Sequence, residues 1–402
     1  MRITIATMAL VGTAGCSDLP GVLPSQATLD VETPRAAGPM PVCGPDQDEP
    51  CARVQRLAAG GTFTCAVLDD ETTRCWGDGA EGQLGAPSPA DFEIGDVVVS
   101  DLPPFETMAL GWHHGCGVYD GEVSCWGGNT LQQRGVPGPS GPEATSLDLS
   151  SVHQLTASRT TTCALHGDPP RVSCWGFSVD GQPWTDADQG STYLGPSLVP
   201  GLEDIRPTKV VVGRAHACAT DGEALRCWGD DALGQLGTAD TEDQTSATEV
   251  AQTFPLPVVD LMAAGDHACV LADPQARAYC WGDLARWFEF PTPFVLYWWD
   301  GATAAEVVSG YRSLCVRYEE GYVRCSGDNQ YGQLVVAPPD VTSQSRLTLV
   351  PGVGDVIQLV SGTQHLCALR DDGSVWCWGR NTHGQLGRGF ASLYEAPAPV
   401  AF

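Results

Sequence analysis

The chain is expected to fold as an all-β, seven-bladed propeller with four-stranded blades, and three observations predict this. A unit of about 50 residues recurs along the chain, as propeller blades do. Fourteen cysteines fall into seven pairs spaced as Cys-x8–10-Cys, and the first members recur with the same period as the unit. Forty-seven Gly, 30 Pro and only 17% charged residues suit short strands and tight turns. No segment holds a helical period.

The elements follow in chain order. Residues 1–15 read as an export signal: Arg2, an apolar run from Ile3 to Val11, then small residues before Cys16. That run is too short to span a bilayer as a permanent helix. Thr13-Ala14-Gly15-Cys16 resembles a lipoprotein processing box, although Thr13 stands where Leu is usual. Cys16 is therefore expected to carry the lipid, with ordinary cleavage and secretion as the alternative. More than one acyl chain would anchor the protein firmly. Residues 16–52 form a Pro-rich tether with a small Cys43–Cys51 loop. That loop lacks the ligand spacing of a calcium site and reads as a clip. Residues 53–402 hold the blades, at about 53–101, 102–150, 151–203, 204–255, 256–304, 305–352 and 353–402.

The seven pairs are Cys65/Cys75, Cys116/Cys125, Cys163/Cys174, Cys218/Cys227, Cys269/Cys280, Cys315/Cys325 and Cys367/Cys377. Turn signals such as Asp120-Gly121, Asp221-Gly222, Glu320-Gly321 and Asp372-Gly373 lie between partners, which places each pair on two arms of a hairpin. Zinc sites need two close Cys-x2–4-Cys pairs per ion, and this spacing is absent. An exported chain instead meets an oxidising compartment, where disulfides persist. One staple per blade is expected, with some bridges offset because the loop lengths vary.

Aligned on the cysteines, each unit runs from an apolar strand through Gly-x-x-His, Cys-Ala-Leu and Cys-Trp-Gly to Gly-Gln-Leu-Gly. The clearest copies are VVVGRAHACATDGEALRCWGDDALGQLG (210–237) and LVSGTQHLCALRDDGSVWCWGRNTHGQLG (359–387). Residues 54–402 resemble the regulator of chromosome condensation (RCC1) repeat family throughout, in a cysteine-stapled bacterial lipoprotein variant. The resemblance implies a seven-bladed propeller that recognises proteins. Nucleotide exchange does not carry over, because the export signal separates the chain from small GTPases. Members that inhibit β-lactamases imply a second reading, inhibition of a periplasmic or secreted enzyme. A polysaccharide-active or polysaccharide-binding propeller is the third.

Copies decay at LQQRG (131–135), GQPW (181–184) and Ser326, which replaces the Trp of its unit. The last unit ends in APAPVAF, and no such strand precedes Arg53. The C-terminal strand is therefore expected to pair into blade 1 and close the ring.

Few residues point to chemistry. Trp76, Trp126, Trp175, Trp228, Trp281 and Trp378 share one position and are expected to pack between blades, each beside its disulfide. His114, His216, His267 and His365 share another. Equivalent positions spread around a wide circle, so hydrogen bonding is expected there rather than a shared metal. No catalytic constellation, metal site or cofactor is expected. The departure from the scaffold is blade 5, where Trp287, Phe288, Phe290, Tyr297, Trp298 and Trp299 form an aromatic run suited to recognition. Loops at 86–101, 136–150, 238–256, 286–300 and 335–350 are expected to shape the contact face.

Charge narrows the partners. Forty-nine acidic residues against 21 basic ones repel phosphate backbones and anionic membranes. The expectation is a monomeric, non-enzymatic scaffold on a bacterial cell envelope that binds an unidentified protein, with the N-terminal lipid as its sole membrane contact.

Overall fold

The computed structural model describes residues 52–86, 94–177, 192–238, 240–251, 254–272, 277–283, 294–296, 302–335, 343–400 and 402. Seven four-stranded antiparallel sheets follow one another, each built from consecutive strands in simple order. Among the described residues there is no helix. Blade 1 runs outward through Val54–Ala59, Phe63–Leu68, Thr73–Gly77 and Val98–Val99. Blade 7 runs through Val356–Ser361, His365–Arg370, Val375–Asn381 and Ser392–Pro399. The innermost strands touch in a closed cycle, blade 1 meeting both blade 2 and blade 7.

All seven cysteine pairs are disulfides with Cα atoms 4.0–4.1 Å apart. None is offset, which corrects the expectation drawn from the varied loop lengths. Each couples residues directly opposite across the second and third strands of its blade. The first four are Cys65↔Cys75, Cys116↔Cys125, Cys163↔Cys174 and Cys218↔Cys227. The same register holds at Cys269↔Cys280, Cys315↔Cys325 and Cys367↔Cys377. Antiparallel pairs keep a constant sum of residue numbers, so sequence separations of 9, 10 and 11 alter only the turn. Asp120 and Gly121 (φ 50° and 74°) make a two-residue turn of the kind that suits a hairpin's twist.

The core is layered between blades, with one apolar cluster at each of the seven interfaces. Six tryptophans fill six of these layers and are at most 1% exposed. Each packs against the disulfide of the preceding blade rather than its own, a correction to the expectation. Trp76 lies with Cys367 and Cys377, and Trp126 with Cys65 and Cys75. Trp175 lies with Cys116 and Cys125, and Trp378 with Cys315 and Cys325. Adjacent strand residues point to opposite sheet faces, so Cys75 and Trp76 must serve different interfaces. Between blades 5 and 6, where Ser326 replaces Trp, no indole packs against the Cys269–Cys280 disulfide among the described residues. Leu314, Tyr318 and Leu347 help fill that layer.

The indole N–H of Trp76, Trp126, Trp281 and Trp378 donates to the carbonyl of the Gln in the preceding Gly-Gln-Leu-Gly or its equivalent, at 2.9–3.0 Å. That Gln uses its side chain at home: Gln83 Oε1 accepts the Glu81 N–H, and Gln385 Oε1 the His383 N–H. The histidines also bond across interfaces, His114 to Thr162, His365 to Thr64 and His267 to Ser309, at 2.8–2.9 Å. His216 faces blade 5, where Ala268 occupies the place of Thr64 and Thr162.

Ring closure differs from the expectation. The C-terminal strand pairs within blade 7, with Trp376↔Pro399 and Cys377↔Ala398. Blade 1 already has a fourth strand in Val98–Val99, which pairs with Arg74 and Cys75 and leaves no vacancy. Side chains make the seam instead. The Gln358 Nε2 donates to the Leu57 carbonyl, and the Leu57 N–H donates back to Gln358 Oε1. Phe402 meets Trp76 edge-on, centroids 5.6 Å apart. Similar bridges link other innermost strands: Gln154 holds both backbone groups of Val210, and Glu306 accepts from Leu359 N–H. An inner-strand edge has unpaired backbone groups, and these side chains satisfy them. Burial pushes the Glu306 carboxyl up, opposed by its bond to Arg317.

Candidate functional site

Antiparallel order places the turn after each first strand and the loop after each third strand at one end of the propeller. The hairpin turns beside the disulfides and the connections between blades occupy the other. The loop stretches predicted as the contact face are only partly loop. All five contain the blade's fourth strand, at Val98–Val99, Gly141–Leu147, Gln244–Glu249, Phe294–Leu296 and Ser343–Leu349, which carries the chain back to the hairpin end.

The axial channel is a cavity of about 480 Å³ lined by all seven innermost strands. At its mouth stands the residue after the repeat's Gly, or the equivalent position: Gly61, Trp112, Arg159, Arg214, Gly265, Tyr311 and Thr363. Blades crowd here. A Cβ at Gly60 would lie 2.4 Å from the Gly111 carbonyl, and one at Gly362 2.4 Å from the Gly60 carbonyl. These glycines are packing devices.

The neighbouring position varies around the ring, and it carries the chemistry. The exposed Arg159 guanidinium lies over the Trp112 ring, 4.3 Å from its centroid. Arg214 pairs with Asp266 at 2.6 Å, and Arg312 lies 5.2 Å from the Tyr311 centroid. Further out, Arg380 covers Tyr331 at 4.9 Å, bonds to the Thr382 hydroxyl and donates to the Gln364 side chain. Arg159 and Arg380 make no ion pair among the described residues. The exposed Arg159 guanidinium is held over an aromatic face, whereas that of Arg380 is also engaged by Thr382 and Gln364.

The opposite end is acidic. Asp69, Asp70, Glu71, Asp120, Glu122 and Glu319 are all exposed in its turns. Several carboxylates there are matched within the fold: Asp204 by Arg226, and both Asp355 and Asp372 by Arg370. The Arg226 hydrogen bond holds the Asp204 carboxyl below its usual range.

The aromatic residues singled out in blade 5, Trp287, Phe288, Phe290, Tyr297, Trp298 and Trp299, lie outside the described residues, as do Cys16 and the Cys43–Cys51 pair. Sequence reading missed Trp112, Arg159, Tyr311 and Arg380. The signal for the first three was variability at one repeat position: Gly, Trp, Arg, Arg, Gly, Tyr, Thr around the ring. Among the described residues, no group of three or more His, Cys, Asp or Glu could hold a metal ion.

Family models described as "Regulator of chromosome condensation (RCC1) repeat" match residues 304–333, 356–385 and 372–402. The ultraviolet-B receptor UVR8 of Arabidopsis thaliana is 25% identical over 377 residues, covering 86% of this chain and 83% of the receptor. The human E3 ubiquitin-protein ligase HERC2 is 25% identical over 362 residues, again 86% of this chain but 7% of that much longer protein. Among solved structures, Prp20p of Saccharomyces cerevisiae superposes with a TM-score of 0.72 at 17% identity, covering 87% of each chain. Human WBSCR16 gives 0.68 at 20% identity, covering 83% of this chain and 94% of the other. With seven blades, interlocked tryptophans and these repeats, the chain is an RCC1-like β-propeller.

Proposed function

We propose that this protein is a non-enzymatic binding scaffold on a bacterial cell envelope, held by a lipid on Cys16 and recognising a protein partner with the end that bears the channel mouth. One observation carries the reading. The shared tryptophans, histidines and glutamines are buried in blade packing, whereas the Trp112–Arg159 and Tyr331–Arg380 pairs join neighbouring blades at one open end, where Arg159 is exposed. Rigid aromatic and arginine anchors are the residue types that dominate protein interfaces. Seven disulfides place the chain in a non-reducing compartment, in keeping with export. The ligase activity in the name of HERC2 belongs to a protein of which this chain matches 7%, and it gives no ground for an enzyme here.

The test is affinity capture from envelope extract with the full chain, alongside Trp112→Ala. A partner retained by the native chain and lost by the variant supports the reading. Capture unaffected by Trp112→Ala refutes the assignment of this end. Recovery of a single enzyme whose activity falls on binding would specify an inhibitor.

A further inference from the structure

We infer that the core carries a light-driven redox device, in which ultraviolet light absorbed by the tryptophan of one blade opens the disulfide of the blade before it. Six of the seven disulfides are placed for this. The bonded cysteines are all at most 1% exposed. A thiol in solvent must reach a sulfur to exchange with it, and burial denies it that access. An electron must then come from a group already in the same layer. In six layers an indole stands there, itself at most 1% exposed. Trp228 lies with Cys163 and Cys174, and Trp281 with Cys218 and Cys227, as the other four lie with the disulfides named above. The facing is also visible in a distance. The Cys116 sulfur stands 3.8 Å from the Thr162 hydroxyl, and Thr162 is paired opposite Trp175 in the next blade. Sulfur against an aromatic ring is a favourable contact, so the arrangement is stable in the dark.

An excited indole is a strong one-electron donor, and the antibonding orbital of the S–S bond accepts the electron. The disulfide radical anion breaks that bond into one thiolate and one thiyl radical. The oxidised indole loses its N–H proton, and the thiolate takes one up. One disulfide and one tryptophan thus become one thiol, one thiyl radical and one tryptophanyl radical, with no outside reductant. For Trp76, Trp126, Trp281 and Trp378 the indole N–H is already bonded to a Gln carbonyl, which stabilises the positive charge as it forms. Each event removes one hairpin staple, so light loosens the blade that the disulfide closes. The seventh disulfide is an internal control. Cys269–Cys280 has Tyr318 in its layer and no indole among the described residues. Light at the long-wavelength edge of protein absorption excites indoles and spares that phenol.

The full chain is irradiated at that edge without oxygen, then denatured in excess N-ethylmaleimide with no reductant. Mass spectrometry reads the labelling of each cysteine against a sample kept dark. Labelling is expected to rise in the six pairs that face an indole and to stay at the dark level at Cys269 and Cys280. Trp126→Phe should return Cys65 and Cys75 to the dark level while the other five sensitive pairs still respond. If that variant does not fold, the pattern across the native chain decides alone. No labelling above the dark sample overturns the inference. Equal labelling of all seven pairs overturns it as well, since direct absorption by the disulfides would then be the cause. So does labelling of Cys65 and Cys75 that survives in a folded Trp126→Phe.

Discussion

Acid should unfold this propeller well above the pH at which carboxylates titrate, because four histidines are buried neutral between its blades. Burial holds the His114, His267 and His365 imidazoles down at about 3, and that of His216 at about 4, from an ordinary value of 6.5. A histidine depressed in the folded state costs stability as pH falls below 6.5, because only the unfolded chain takes up the proton. The loss continues until the folded value is reached. Between pH 6 and pH 5 each such histidine removes about 1.2 kcal/mol, so four remove about 5 kcal/mol. Replacing His216 and His267 with Phe tests this, since blade 1 already carries Phe63 at the same position against Gly60. Ser309, which His267 contacts, keeps its bond to the Ser313 carbonyl. Urea midpoints at pH 7.5, 6.0 and 5.0, with disulfides intact and buried tryptophan fluorescence as the signal, give the slopes. The double variant should lose about half as much stability over this interval, roughly 2.5 kcal/mol. Carboxyls pushed up by burial, such as Asp231 and Asp328, gain stability as pH falls, but they are common to both proteins and cancel in the difference. Equal slopes in parent and variant would refute the buried-histidine account.

Four further outcomes follow from the same geometry. Ala268→Thr should place a hydroxyl beside His216, as Thr64 and Thr162 do for His365 and His114, and raise stability by about 1 kcal/mol; a lower urea midpoint would show that blade 5 cannot take the added volume. Gln358→Ala strips both backbone partners from Leu57 at the seam and should cost about 1–3 kcal/mol, with hydrogen exchange accelerating first in blades 1 and 7. Replacing Cys218 and Cys227 together with Ala should cost roughly 2–3 kcal/mol for a loop of this length, read from the urea midpoint. Metabolic labelling with a tagged fatty acid should mark the native chain and not Cys16→Ser; equal labelling would remove the lipid from the proposal.

How much was legible in the sequence follows from which contacts are local. Cysteine partners separated by a single short turn sit on one hairpin, so their pairing and the count of seven blades were readable from spacing and turn residues alone. So was the burial of the repeated tryptophans, because a residue type recurring at one repeat position has a structural job. Other features needed the ring itself. Trp76 and the Cys367–Cys377 disulfide stand near opposite ends of the repeat array, and only closure makes blade 7 the neighbour of blade 1. Closure by side chains rather than by strand exchange was settled by two residues, Val98 and Val99, too short a run to be recognised as a strand beforehand. The mouth is the same case. Trp112, Arg159, Tyr311 and Arg380 come from blades 2, 3, 6 and 7, and local pattern contains no term for what a circle of blades brings to one end. The sequence by itself determined each blade, since hydrogen bonding and disulfide geometry act within one hairpin-sized unit. The tertiary structure decided what the blades share, because interface packing and the charges around the axis depend on rotating each unit against the next.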